Sequence, residues 1–305
     1  MKSSNTKPIA AVVVTYNRRE LLLNNIKCLM RQTFGQYLDI IIIDNASTDG
    51  TAEALKKYAE NGSIIYINTG ANLGGAGGFQ FGIRYAVENG YDLIWIMDDD
   101  SMPRPNALEE LVSWHIKLKG RYGFLSSKVL WKDGSICKMN QQKINLYKKA
   151  EDFDAPVTKI SSATFVSMFF GSKIVRRVGL PIKEFFIWCD DLEYTRRISK
   201  KYPCYLITSS VVEHHCATNI GSDIAFDTAD RLDRYSYAYR NEVYYFKREG
   251  LLGMGYFIVR LMYHIFRILV YSKDAKAKRL SIIISSTLRG LRFDPKIQYP
   301  ETNEK

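Results

Sequence analysis

The sequence predicts an α/β fold with a mainly parallel central sheet, extended by helices toward its C-terminal end. Short β-branched runs alternate with stretches of helical spacing through the first hundred residues, and that alternation implies parallel strands joined by crossover helices. Three of the runs end in polar residues: Tyr16-Asn17, Asp44-Asn45 and Asp98–Asp100. In such sheets ligands bind beyond the carboxyl ends of the strands, so these three clusters should meet in one crevice. After about residue 226 the pattern turns helical. We therefore expect a catalytic domain over 1–225 and a basic, amphipathic helical region over 226–305.

Ile9–Val14 reads as a buried strand, and Arg18–Arg31 as a helix with Leu22, Ile26 and Leu29 at helical spacing. Asp39–Ile43 is a second strand, and Ser47-Thr48-Asp49-Gly50-Thr51 caps a helix running to about Tyr58. Ile64–Asn68 is a third strand, Gly74–Gly78 a glycine-rich turn opening a helix, and Leu93–Met97 a fourth strand that runs into the triple aspartate. Beyond residue 120 the pattern loosens, with strands expected at Phe124–Val129, Ala163–Phe170 and Cys204–Val212. Helices are expected over Leu192–Lys200 and Ala229–Arg248.

The composition is that of a globular chain, 46% hydrophobic and 25% charged. Its aromatic content, with 20 Tyr and 15 Phe, suits either sugar and headgroup contact or an aromatic core. Of the net charge of +11, residues 251–305 hold +6, from ten Lys/Arg against four Asp/Glu. A basic tail suits nucleic acid or an anionic membrane; no nucleic-acid motif accompanies it, so nucleic acid is not expected and a membrane is. The five cysteines show no paired metal-ligand spacing, and their odd number argues against a disulfide framework. The apolar run near the N-terminus is too short for a signal peptide, so a cytoplasmic catalytic part is expected.

Three adjacent carboxylates repel one another, yet Leu-Ile-Trp-Ile-Met delivers Asp98–Asp100 out of a buried strand. A divalent cation, Mg2+ or Mn2+, accounts for them, and it would stabilise a departing diphosphate. An acidic turn before a helix is the plainer alternative. A second acidic pair, Asp190-Asp191, follows Phe185, Phe186, Ile187 and Trp188. Desolvation raises a carboxyl's pKa and makes it a better base, while one of the two can serve only as the helix cap. Trp188 suits a sugar face or a core position. His214-His215 follows a strand; a lone histidine there is usually a satisfied polar group, but beside an acidic metal site an imidazole is expected as a further ligand. The glycines of Asn72-Leu73-Gly74-Gly75-Ala76-Gly77-Gly78-Phe79 allow close approach of backbone to phosphate or sugar, or simply a tight turn.

Taken in order, VVVTYNR at 12–18, IIIDNASTDGT at 41–51, NLGGAGGF at 72–79, WIMDDD at 95–100, GLPIKEFFIWCDDLEYTRR at 179–197 and VVEHH at 211–215 resemble family 2 glycosyltransferases of the GT-A fold. The resemblance covers roughly residues 8–220. It implies an inverting, metal-dependent transfer of a sugar from a nucleotide diphosphate. Thr15, Tyr16, Asn17 and Asp44 would bind base and ribose, and Arg18, Asn72, Gly75, Trp188 and Asp190 would complete the substrate-binding set. Asp98 and Asp100 match the DxD element for metal and diphosphate, with Asp99 nearer donor sugar or ribose. Asp191 matches the catalytic base. His215, or else His214, would complete the metal site; His215 is preferred because it lies 24 residues after Asp191, as in galactofuranosyltransferases. NLGGAGGF with MDDD and FFIWCDD looks most like galactofuranosyltransferases, which use UDP-galactofuranose. Rhamnosyltransferases share much of the framework. Galactofuranan polymerases are much longer, with an extra N-terminal domain, whereas this sequence opens directly on the catalytic motifs, so an enzyme adding one or a few residues is expected.

Leu251–Tyr271 is long and apolar enough to span a membrane, but Arg260, His264 and Arg267 fall on one helical face. That stripe fits an amphipathic helix lying in the membrane interface, with Lys278–Arg292 repeating the character. The alternative is packing on the catalytic domain or on a second subunit, giving a homo-oligomer. A glycan or glycolipid acceptor makes peripheral contact at the inner face of the cytoplasmic membrane useful. Against the enzymatic reading stands a non-catalytic, membrane-associated subunit that binds nucleotide sugar.

Overall fold

A computed structural model describes residues 9–301; residues 1–8 and 302–305, the outer ends of the two expected regions, lie outside it. Among the described residues nine strands form one sheet: β1 (Ile9–Thr15), β2 (Leu38–Asp44), β3 (Ile65–Asn68), β4 (Leu93–Asp98), β5 (Ser101–Pro103), β6 (Leu125–Trp131), β7 (Val157–Ile160), β8 (Met168–Gly171) and β9 (Cys204–His214). Their order is β3-β2-β1-β4-β8-β6-β9-β5, with β7 also on β9. The first four are parallel, whereas β8 runs antiparallel to β4 and to β6.

Every residue of β1 is buried, because both faces of the sheet are covered. Successive side chains alternate between the faces. Ala10, Val12 and Val14 join one core with Phe79, Ile83 and Val87 of α3 (Gly74–Glu88), while Ala11 and Val13 join the other. That second core holds Leu22, Ile26 and Leu29 of α1 (Arg19–Met30), Leu55 of α2 (Thr51–Glu60) and Leu111 of α4 (Ala107–Lys117). Each fully buried aliphatic side chain contributes about 1.5–3 kcal/mol relative to exposure, which makes register slips costly.

Several expectations shift. The stretch 163–170 pairs only over Met168–Gly171. Residues 229–234 form a 3-10 turn, and the helix proper, α7, is Tyr235–Lys247. It follows α5 (Ser172–Val178) and α6 (Asp190–Ser199), and precedes α8 (Gly250–Tyr271) and α9 (Lys276–Arg292). The glycines of 74–78 open a helix as expected, forming the first turn of α3.

The C-terminal helices are packed on the sheet domain. Val243, Tyr244 and Phe246 of α7 share a core with Ala76, Ile182, Phe185 and Cys189. The chain then returns across the domain, where the Leu180 N–H donates to the Gln298 carbonyl at 2.8 Å.

The polar stripe of α8 is a correction. It does not face outward: Arg260 pairs with Glu242 at 2.8 Å, Arg267 with Asp223 at 2.5 Å, and His264 meets the Tyr239 hydroxyl at 2.8 Å. The acidic partners on α7 and in the preceding loop draw the stripe inward, leaving the apolar side exposed.

Candidate functional site

In-register parallel pairing brings Thr15 beside Asp44 and Val14 beside Asp98, so the carboxyl ends of β1, β2 and β4 finish along one line. The clusters predicted to converge therefore do so. Asn17, at φ +52°, accepts a hydrogen bond from the Thr48 N–H at 2.7 Å, and its own N–H donates to the Ser47 hydroxyl at 2.9 Å. These bonds tie the loop after β1 to the loop after β2. Asp44 is buried and accepts from the Tyr66 hydroxyl at 2.6 Å and the Ser47 N–H at 2.8 Å. Tyr16 stands exposed at the rim.

The three aspartates differ in surroundings. Asp99 is buried, accepts from the Thr15 hydroxyl at 2.7 Å, and lies 3.5 Å from the Arg18 guanidinium. Asp100 is held by Arg18 at 2.5 Å on one oxygen and by His214 Nε2 at 2.9 Å on the other. Burial, then the Asp100 charge, pushes the Asp98 carboxyl up to about 6 and the Asp99 carboxyl up to about 7. Burial pushes Asp100 the same way, but His214 and Arg18 outweigh it and hold that carboxyl below its ordinary range.

The preference for His215 as the metal ligand is corrected. His214, the last residue of β9, is the imidazole turned to Asp100, and its Nδ1 meets the Asn140 carbonyl oxygen at 2.8 Å. His215 follows on the opposite side; its ring is 3.8 Å from Glu213, and only its N–H reaches the site, donating to the Asp100 backbone carbonyl at 2.8 Å. β9 ends at His214, and the alternation that aims this side chain at Asp100 turns the next residue away.

Donor atoms of Asp98, Asp100 and His214 lie within 4.8 Å of one another. Two carboxylates and an imidazole suit Mn2+ or Mg2+, and the Asn140 contact at Nδ1 is the outer support that orients a ligating imidazole. The residues fit a divalent cation. Cys137 and Cys216 back the same histidine, and all five cysteines are free thiols. We expect His214→Ala to raise the Mn2+ concentration needed for half-maximal activity by about 10–100-fold. His215→Ala should leave it unchanged, as a calorimetric Mn2+ titration of both variants would record.

Facing this group is the loop before α6. Asp190 and Asp191 are the first helical residues, where the helix dipole favours negative charge, and the capping position is Cys189. Asp190 is buried, and burial followed by the neighbouring Asp191 charge pushes its carboxyl well up. Asp191 is half-buried and accepts from the Leu192 N–H at 2.6 Å. Burial raises its carboxyl to about 6, against that hydrogen bond and the Lys143 ammonium. The Asp191 charge is felt at Asp98 and the Asp98 charge at Asp190, so both acidic clusters belong to one site.

The glycine segment serves this loop. Gly74, at φ +69°, lies so close to the Phe186 carbonyl that a Cβ would sit 2.2 Å from its oxygen, and the Ala76 N–H donates to that carbonyl at 3.1 Å. Gly78 packs against Val14 and Asn45, whereas Gly75 faces open space. Asn72 caps the Gly74 N–H at 2.9 Å. The Trp188 ring packs edge-on against Tyr235, with centroids 4.9 Å apart, and is half-buried.

Three participants carried no sequence signal. Lys143 lies in an irregular loop, and Asn140 is visible only through its contact with His214. Asn241 of α7 is fully buried and donates from its amide to the carbonyls of Phe185 at 2.9 Å, Ile187 at 3.2 Å and Trp188 at 2.9 Å.

The family model described as Glycosyl transferase family 2 matches residues 10–165. A galactofuranosyltransferase of Mycolicibacterium smegmatis is 24% identical over 270 residues, which cover 81% of this chain and 86% of that one. A dTDP-rhamnosyl transferase of Shigella flexneri is 29% identical over 195 residues, 62% of each chain. Among solved structures, that of GalNAc-T7 with UDP, GalNAc and Mn2+ matches with a TM-score of 0.57 and 14% identity, over 70% of this chain and 45% of that one. At that identity the likeness is one of fold, and the fold is GT-A.

Proposed function

The chain belongs to glycosyl transferase family 2 and is a glycosyltransferase, and we propose that it transfers galactofuranose from UDP-galactofuranose, with inversion, to a lipid-linked glycan at the inner face of the cytoplasmic membrane. The observation that carries the donor is the likeness to a galactofuranosyltransferase along 86% of that relative's length. The structure of GalNAc-T7, a neighbour in fold, was solved with UDP and Mn2+, which supports a UDP donor and a divalent metal.

In this reading Asp98, Asp100 and His214 hold the cation. When bound, it stabilises the negative charge gathering on the nucleotide diphosphate as it leaves. Thr15, Tyr16, Asn17 and Asp44 form the nucleoside end of the crevice, and Thr15 and Arg18 fix Asp99 toward the donor. Asp191 takes the proton of the acceptor hydroxyl. The hydroxyl oxygen attacks the anomeric carbon, the bond to the diphosphate breaks with its electron pair, and the configuration inverts. Asp191 is the base in preference to Asp190 because burial and the neighbouring Asp191 charge push the Asp190 carboxyl well up, which favours its protonated form. A base must enter the reaction ionised.

A second donor deserves testing beside the first, since the rhamnosyl transferase is the more identical of the two relatives over its shorter span. Purified chain is offered UDP-galactofuranose, dTDP-rhamnose, UDP-glucose and UDP-galactose with membrane extract as acceptor. Release of UDP from the galactofuranose donor, well above the other three, is the expected result. Consumption of dTDP-rhamnose instead would replace the donor, and no consumption of any donor would favour a nucleotide-sugar-binding subunit.

A further inference from the structure

Among the described residues, none covers the apolar stripe on the outward face of α8. Leu251 is 93% exposed and Leu252 80%, and Val259, Met262, Phe266 and Leu269 are all more than half exposed. At 100° per residue these positions fall on one continuous stripe along the helix. Both charged residues of α8, Arg260 and Arg267, are engaged with Glu242 and Asp223 on the other side. A contiguous exposed apolar stripe of this kind marks an interaction surface.

Charge selects what covers it. Lys273 and Lys276 follow the helix and are exposed, and the Lys276 ammonium reaches back to the Leu269 carbonyl at 2.7 Å, beside the apolar stripe. Asp274, the acid between them, is bound to Arg279. Tyr256, Tyr263 and Tyr271 stand exposed along the helix, the residue type that favours the headgroup boundary. An apolar face edged by lysines and tyrosines matches an anionic bilayer surface.

We propose that α8 is a membrane-seating helix, lying in the plane of an anionic bilayer with Leu252, Val259, Met262, Phe266 and Leu269 in the acyl boundary. It is long and apolar enough to cross instead. Crossing would strip Arg260 and Arg267 of their partners and place both in hydrocarbon, and it would pull α8 off α7. The inference deepens the lipid-linked acceptor reading by naming the surface that meets the lipid. It sets α8 on the same side of the molecule as α7, whose Asn241 holds the loop of the proposed base.

The test is flotation of the full chain with vesicles of phosphatidylcholine, alone or mixed with phosphatidylglycerol, without donor or acceptor. Binding to the anionic vesicles that weakens with salt and is reversed by alkaline carbonate is expected. Leu252→Glu with Phe266→Glu should weaken it by at least about tenfold. Unchanged circular dichroism would show that the variant folds, and transfer to a water-soluble acceptor should persist. Failure of the wild-type chain to float would overturn the proposal, as would resistance to carbonate, which marks a span. A dimer in size-exclusion chromatography that the same substitutions dissolve, with no vesicle binding, would assign the face to a second copy. Because transfer is measured separately, failure to bind vesicles leaves the catalytic reading standing.

Discussion

Asp191→Asn should lower kcat by about 10²–10⁴-fold while leaving the dissociation constant for the donor nearly unchanged. The amide keeps the size of the carboxylate and can still accept from the Leu192 N–H, so the start of α6 is preserved. What it cannot do is take a proton. The same carboxyl sets the acid limb of the wild-type profile. Burial lifts it to about 6, so it is ionised and able to act above that pH and protonated and inert below it. kcat/KM should therefore rise through pH 6 and level off. Removing the opposing positive charge with Lys143→Met should move that limb to higher pH, since Lys143 holds the carboxyl down. In Asp191→Asn the limb should vanish along with the rate. A variant that transfers at the wild-type rate would remove Asp191 from the base role.

The contrast between Asp191 and its neighbour shows which parts of the site a sequence conveys. Apolar runs that stop abruptly at polar residues gave β1, β2 and β4 and the crevice at their ends, because burial on both faces leaves a continuous signature. The choice within each adjacent pair was not legible. Asp190 and Asp191 have the same chemistry and differ in how far the helix start turns each into the protein. His214 and His215 differ in which way the chain turns each at the end of β9, and a spacing count cannot see a direction. The face of α8 was read correctly as one stripe of Arg260, His264 and Arg267, yet its direction depended on Glu242 and Asp223, distant in sequence. The three-residue β5 and four-residue β7 are too short to generate a period, and both are held by pairing with β9.

Asn241→Ala should cost both stability and catalysis, and the two losses can be separated. The loop from Phe186 to Cys189 contains Phe186 at φ +63°, Trp188 at +66° and Cys189 at +68°. Large side chains occupy that region of backbone space only at a cost of order 1–3 kcal/mol each, so surrounding structure must hold them there. The Asn241 amide does much of the holding, since its contacts at 2.9 Å fall on the carbonyls of Phe185 and Trp188, at either end of the bend. Arg240 adds a hydrogen bond to the Glu184 carbonyl at 2.5 Å. Removing the amide takes the donor from the Ile187 and Trp188 carbonyls, at about 1–3 kcal/mol for each left buried and unpaired, while the Phe185 carbonyl keeps the Ile187 N–H and Arg240. Thermal unfolding should show that loss as a lower Tm. If the loop relaxes, Asp191 moves relative to the acceptor, and a displacement near 1 Å costs about 10²-fold in kcat. Asn241→Asp separates lost packing from lost hydrogen bonds, because it keeps the volume but removes the donor; it should resemble Asn241→Ala. A purely structural role predicts that the folded fraction, assayed well below Tm, keeps the wild-type kcat and acid limb. A positioning role predicts that kcat falls more than the KM for donor and that the limb near pH 6 shifts, since the Asp191 carboxyl no longer sits at the same depth. Wild-type kcat in both variants would mean that the loop keeps its shape without α7, and that the C-terminal helices do not order the base.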